Sequence, residues 1–196
     1  MAGWAPHAPI LLPTVSSPTE RIKVGKTIEA LERLVREVTA AKPEVMIISS
    51  PHPDWGFEVP LYFLKLPIKI QKFLTDARTP REHFDLGKKI YQKFRQERVA
   101  WIASGDLSHK LKKEGPYGFD PAGPEFDQRL ISLLKKKDVA GILNLEPEVV
   151  EQAGECGYRS FCMALGAVMA SGKSWQPKIL SYEGPFGVGY LVARLK

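Results

Sequence analysis

Two stretches of this 196-residue chain end an apolar run in small residues and then in a histidine. Glu44-Val-Met-Ile-Ile-Ser-Ser50 leads into Pro51-His52-Pro53. Arg98-Val-Ala-Trp-Ile-Ala103 leads into Ser104-Gly-Asp-Leu-Ser-His109. Both runs have the length and branched residues of buried strands, and neither the proline pair nor the Gly-Asp turn continues a strand. His7, between Pro6 and Pro9, follows a shorter extended segment in the same way. Ligands of α/β sheets bind at the carboxyl ends of strands. If these three strands are parallel neighbours, three of the four histidines converge in one crevice. An imidazole there can serve as base, acid or metal ligand, because its charge changes near neutral pH.

Strand and helix patterns alternate along the rest of the chain. Ser17, Pro18 and Glu20 open a helix expected to run to about Ala41 with Ile28, Leu31, Leu34, Val35 and Val38 inward. Pro60 and Pro67 interrupt the next segment, and Leu66–Phe73 alternates as an edge strand would. Thr79-Pro80-Arg81-Glu82 is a capping box, and the helix it opens points Phe84, Leu86, Ile90 and Phe94 inward. His83, among charged residues in its first turn, reads as surface. Further helices are expected at about Pro124–Lys135, Asp138–Leu143, Pro147–Ala153 and Tyr158–Ala170, then strands Lys178–Tyr182 and Val188–Arg194. The expected fold is therefore α/β, a single-domain three-layer α/β/α unit with a mainly parallel central sheet and an antiparallel C-terminal strand pair. Gly115–Pro124, dense in glycine, proline and aromatics, is expected to be a rigid loop over a site.

Charge and cysteine content narrow the function classes. The net charge is +6, but the basic runs Lys110–Lys113 and Lys135–Lys137 adjoin acidic residues and lack interleaved aromatics, which argues for solvated surface and against nucleic acid. No apolar run approaches the roughly 18 residues that span a bilayer, and no signal-peptide pattern opens the sequence. A cytoplasmic protein without membrane contact is expected, and a homo-oligomer is left open. Cys156 and Cys162 are too few for a disulfide framework. Six residues apart, they lie about 600° apart around a helix, so both read as free thiols.

Two imidazoles and a carboxylate on one face of an ion make the facial triad of non-heme Fe(II) enzymes. The carboxylate candidates are Glu155, Asp54, Asp106 and Glu183. Glu155 lies in the turn Gly154-Glu155-Cys156-Gly157, where glycine allows close backbone approach and a helix start favours an anion. Cys156 can instead offer a thiolate, suited to iron, copper or zinc.

Six segments occur in an order that carries a resemblance: Pro6-His7-Ala8-Pro9, Ser49-Ser-Pro-His52, Ile102–His109, Gly115–Asp127, Ala153–Arg159 and Tyr182–Tyr190. Together they resemble the subunit-B family of class III extradiol ring-cleavage dioxygenases, in its Memo-like branch found with radical-SAM and AMMECR-type proteins. The resemblance implies one α/β domain with Fe(II) held by two histidines, His7 and His52, and a third ligand, with Glu155 named first and Cys156 second. It implies His109 as the acid–base catalyst, with Asp106 orienting it or capping the turn. The implied reaction opens a catecholic ring with O2. The alternative is a non-catalytic iron- or copper-binding protein acting with a radical-SAM or AMMECR-type partner. His52 and Val59 are only seven positions apart, and no histidine lies between them, so part of the family's pocket wall is expected to be missing.

Overall fold

The computed structural model describes Met1–Lys196. Its six strands are β1 (Ala2–Ala5), β2 (Val45–Ser50), β3 (Lys69–Leu74), β4 (Val99–Ser104), β5 (Lys178–Glu183) and β6 (Tyr190–Arg194). They form one sheet in the order β3-β2-β4-β1-β6-β5. β1 to β4 pair in parallel, and β6 runs antiparallel to both β1 and β5. The expected α/β class, mainly parallel sheet and antiparallel C-terminal pair are those the chain adopts.

Alternation along the strands divides the core in two. On β2, Met46 and Ile48 face one side, and Ile47 faces the other. Helix α2 (Gly25–Ala40) covers the first side with Leu31, Leu34 and Val38, joined by Phe57 and Val59 of α3 (Trp55–Phe63). On the second side lie α4 (Pro80–Lys93), α5 (Ala122–Lys136) and α8 (Tyr158–Ala170), with Phe84, Phe126 and Phe161 packed around Trp101 and Ile47. Short helices α6 (Val139–Leu143) and α7 (Pro147–Ala153) join α5 to α8. A Cβ on Gly87 of α4 would fall 1.9 Å from the Met163 carbonyl oxygen, so α4 and α8 meet backbone to backbone. That contact sets α8 deep in the molecule, with Ser160 to Val168 all buried.

Three expectations are corrected. The helix expected from Pro18 to Ala41 is two, α1 (Pro18–Lys23) and α2, broken at Val24. None of α1 is buried, whereas Val24 is fully buried, and the chain leaves helical geometry there (φ −105°, ψ 17°) to turn that side chain into the core. The segment after His52 becomes helix α3 almost at once, with Pro60 inside it. His83, expected at the surface, is fully buried. Its Nε2 accepts from the Asp76 amide at 3.3 Å and its Nδ1 lies 3.0 Å from the Thr79 carbonyl oxygen, so both ring nitrogens are satisfied by backbone. Burial then costs little. No helix is long and apolar enough to cross a membrane.

Candidate metal centre

β4 lies between β2 and β1, and the registers align their ends: Ala5 pairs with Ser104, and Ser49 with Ala103. The segments leaving these three adjacent ends carry His7, His52 and, beyond Asp106, His109. The fourth contributor comes from the turn that enters α8. A Cβ on Gly105 would lie 2.1 Å from the Cα of Gly157, and one on Gly157 would lie 2.8 Å from both the Gly105 carbonyl carbon and the Trp4 ring. Two glycines back to back therefore let this turn reach the β4 exit, where the Gly157 amide donates to the Asp106 carbonyl (2.9 Å).

The result places the Cys156 Sγ 3.3 Å from the Nε2 of His7, with the Asp106 amide donating to the same sulfur at 3.3 Å. His7, His52 and Cys156 each offer a donor atom within 4.8 Å of the other two. Asp106, His109 and Cys156 form a second such group, so the sulfur is common to both. The rings of His7 and His52 are edge to face at 5.2 Å.

The carboxylates divide differently from expectation. Glu155 does not join the cluster. Its Oε2 accepts from the Tyr158 amide at 2.6 Å, and Arg159 stands 3.9 Å from its other oxygen, so it closes the start of α8. Successive residues of a turn point in different directions, and the Gly105–Gly157 contact turns Cys156 inward. Asp106 is buried beneath the site, and its Oδ1 accepts from the His7 amide at 3.0 Å. It holds the His7 segment and makes no hydrogen bond to His109. Glu183 accepts from the amide and hydroxyl of Thr27 at 2.8 and 2.6 Å, and Asp54 stands exposed ahead of α3.

Burial dominates the electrostatics. It lowers the His7 pKa to about 3, helped by the neighbouring His52 and His109 charges. It also lowers His52 and His109, the latter despite nearby carbonyls of Gly154 and Leu107 that favour the charged ring. Burial pushes Asp106 up to about 7 and holds the Cys156 thiol well above its ordinary range, with the Asp106 charge adding to the latter. Imidazoles kept neutral keep their lone pairs. A thiol that resists ionisation in this setting is relieved by a cation at its sulfur. The Nδ1 of His109 is buried and has no hydrogen-bond partner. Two imidazoles and a cysteine sulfur, which a bound cation would deprotonate, suit a transition metal, and His109 stands beside them with its Nδ1 unpaired.

A cleft of about 660 Å³ opens over this floor. Trp55, 40% exposed, lies against His52 with ring centroids 4.9 Å apart, and Tyr117, 60% exposed, stands edge-on to His109 at 5.0 Å. Phe186, Val188 and Tyr190 complete the wall. Pro116 and Tyr117 bring the first part of the expected Gly115–Pro124 loop to the cleft, whereas Ala122–Pro124 already belong to α5. Trp55, the first residue of α3, lines the cleft from the short segment after His52.

Behind the cleft, Asp127 accepts from the Ser108 amide at 2.8 Å and from the Tyr182 hydroxyl at 2.6 Å, tying the His109 segment to α5 and β5. Sequence reasoning missed Ser104, Trp55 and Asp127. Asp127 ends a matching segment, but nothing in the sequence says that its carboxylate turns back to the strand end.

Fold and donor set define a class: an α/β protein with a candidate metal centre where three neighbouring strands end, capped by an aromatic-rimmed cleft. The chain belongs to the LigB family, described as the catalytic LigB subunit of aromatic ring-opening dioxygenase, which residues 52–193 match. It is 41% identical over 150 residues to Protein CA_C1420 of Clostridium acetobutylicum, a match that takes in 73% of this chain and 31% of that protein. The chain thus spans about a third of the length of that curated relative. An uncharacterized protein of Escherichia coli K12, JW3007, has the same fold, with a TM-score of 0.54 and 14% identity over 100% of this chain and 99% of that one.

Proposed function

We propose that this chain is a dioxygenase-type metalloprotein that opens a catecholic ring with O2, with Fe(II) held by His7, His52 and Cys156 and with His109 as its acid–base residue. The observation that carries this reading is the meeting of those three donors within 4.8 Å on the floor of the cleft, beside the unpartnered Nδ1 of His109. When bound, the metal would relay electrons from the catecholic ring, the net reductant, to O2 and stabilise the charge that develops.

The protein's own residues do the rest. Trp55, against His52, and Tyr117, against His109, both line the cleft and offer aromatic surface to a flat ring. The floor is buried at His7 and Asp106 and half-buried at His52, His109 and Cys156, and a ring seated over it would displace water and strengthen polar contacts made there. His109, kept neutral by burial, is free to take a proton from a ring hydroxyl and return it later. Asp106 keeps His7 at its post through the backbone.

The test is oxygen uptake with 3,4-dihydroxybenzoate or catechol by protein purified and loaded with Fe(II) under anaerobic conditions. A yellow ring-opened product that depends on His109 supports the reading, and its absence from fully loaded protein overturns it.

A second reading is favoured by one observation, the sulfur in place of a carboxylate. Thiolate favours softer ions than the carboxylate triad does. On this reading the same three residues hold iron, copper or zinc without ring opening, in a Memo-like protein that acts with a radical-SAM or AMMECR-type partner. Metal retention without product in the same experiment selects it.

A further inference from the structure

The His7 ring has a second neighbour, on the side away from Cys156 Sγ, at its other nitrogen. Its Nδ1 lies 3.1 Å from the Oγ of Ser104, the last residue of β4, and both residues are buried. A hydroxyl has one proton, so its direction decides what it asks of the imidazole. The Ser104 hydroxyl lies 2.5 Å from the carbonyl oxygen of Gly56, an atom that can only accept. Its proton is therefore committed to Gly56.

The Gly56 carbonyl is open to it for a reason written in the sequence. In an α-helix the carbonyl of residue 56 pairs with the amide of residue 60, and residue 60 of α3 is proline, which has no N–H. A buried carbonyl without its helical donor needs another, and Ser104 supplies it. With its proton spent, the serine oxygen can only accept from Nδ1, so neutral His7 carries its proton there. Its Nε2 lone pair then points at the Cys156 sulfur, 3.3 Å away.

We propose that Ser104, oriented by the carbonyl that Pro60 leaves unpaired, is a positioning residue that fixes the tautomer and ring orientation of His7 and so presents Nε2 to the metal centre. The assignment deepens the proposed metal site and rests on it only for the affinity arm of its test. Outer partners of this kind hold ligating histidines in one tautomer, and their loss costs about 10- to 100-fold in metal affinity.

The first arm uses metal-free protein. Proton–nitrogen correlation spectra of the imidazole rings in labelled wild type should show His7 protonated on Nδ1 and bare on Nε2. Ser104→Ala should move the proton to Nε2 or leave a mixture, and Ser104→Thr, which keeps the hydroxyl, should retain the wild-type form. A wild-type ring protonated on Nε2, or a tautomer unchanged in Ser104→Ala, overturns the proposal. Should Ser104→Ala fail to fold, the wild-type and Ser104→Thr spectra still decide. The second arm titrates the same proteins with Co(II). Ser104→Ala should bind about 10- to 100-fold more weakly and Ser104→Thr like wild type, and equal affinity for all three overturns the link to the metal. A Ser104-dependent tautomer in a protein that binds no Co(II) would support Ser104 and refute the metal reading, so the two failures are distinct.

Discussion

The Sγ of Cys156 lies 3.3 Å from the Nε2 of His7 across a separation of 149 residues, while Glu155, one position earlier, turns away to the Tyr158 amide. The third donor atom that the fold brings to His7 and His52 is therefore a sulfur, and the proposed metal site rests on it. Cys156→Ser should lower the metal content of anaerobically purified protein on the order of a hundredfold, since even outer-shell losses reach that scale. Glu155→Gln should leave it unchanged. Elemental analysis of the two variants checks this, and the reverse pattern would restore Glu155 as the ligand.

In the proposed mechanism His109 moves protons, although its ring also lies within reach of Asp106 and Cys156 in a second group of possible donors. Replacing His109 with glutamine should slow ring opening about 10²- to 10⁴-fold at unchanged metal content. Paired oxygen-uptake and metal measurements separate this from simple metal loss.

Asp127 gives a pH signature. Burial raises its pKa from the ordinary 3.8 to about 6, against the bonds from Tyr182 and Ser108. Between about pH 4 and 6 the unfolded chain has released this proton and the native state keeps it, so folding takes up a proton and rising pH removes stability. The contribution is complete below the lower value and gone above the upper one. Asp127→Asn cannot titrate, so the stability of wild type relative to the variant should fall across that window by up to ~3 kcal/mol and then level off. Urea unfolding of both proteins at pH 4.5 and 7 measures it, and a flat difference would show that burial does not raise this group.

The glycine contact behind the cluster is steric. Gly105→Ala places a methyl 2.1 Å from the Gly157 Cα, where no flexible side chain can give way. It should cost about 1–3 kcal/mol and reduce metal retention by displacing Cys156. A stable variant with full metal content would show that the turn can reach the cluster from further off.

Much of the molecule is legible in its residues, and the exceptions have physical causes. Runs such as Val45–Ser50 announce strands because branched residues end abruptly at Pro51, and the histidines beyond such ends fold next to one another because β4 lies between β2 and β1. The choice between Glu155 and Cys156 is not local. It is made by Gly105, some fifty residues away, whose missing side chain lets the turn rotate its cysteine inward. His83 looks exposed beside Arg81, Glu82 and Asp85, but two backbone groups satisfy its ring. Pro60 argues against helix by propensity, yet α3 forms around it, because a buried serine from another strand takes the carbonyl it abandons.

The antiparallel placing of β6 has a consequence in time. It slots in beside β1, so Phe186, Val188 and Tyr190 wall a cleft whose floor begins at His7. During synthesis, His7 emerges long before Tyr190, the last of these wall residues. Pairing across so long a loop is slow. A nascent chain short of residue 190 then carries His7, His52 and Cys156 without the wall that closes the cleft beside them.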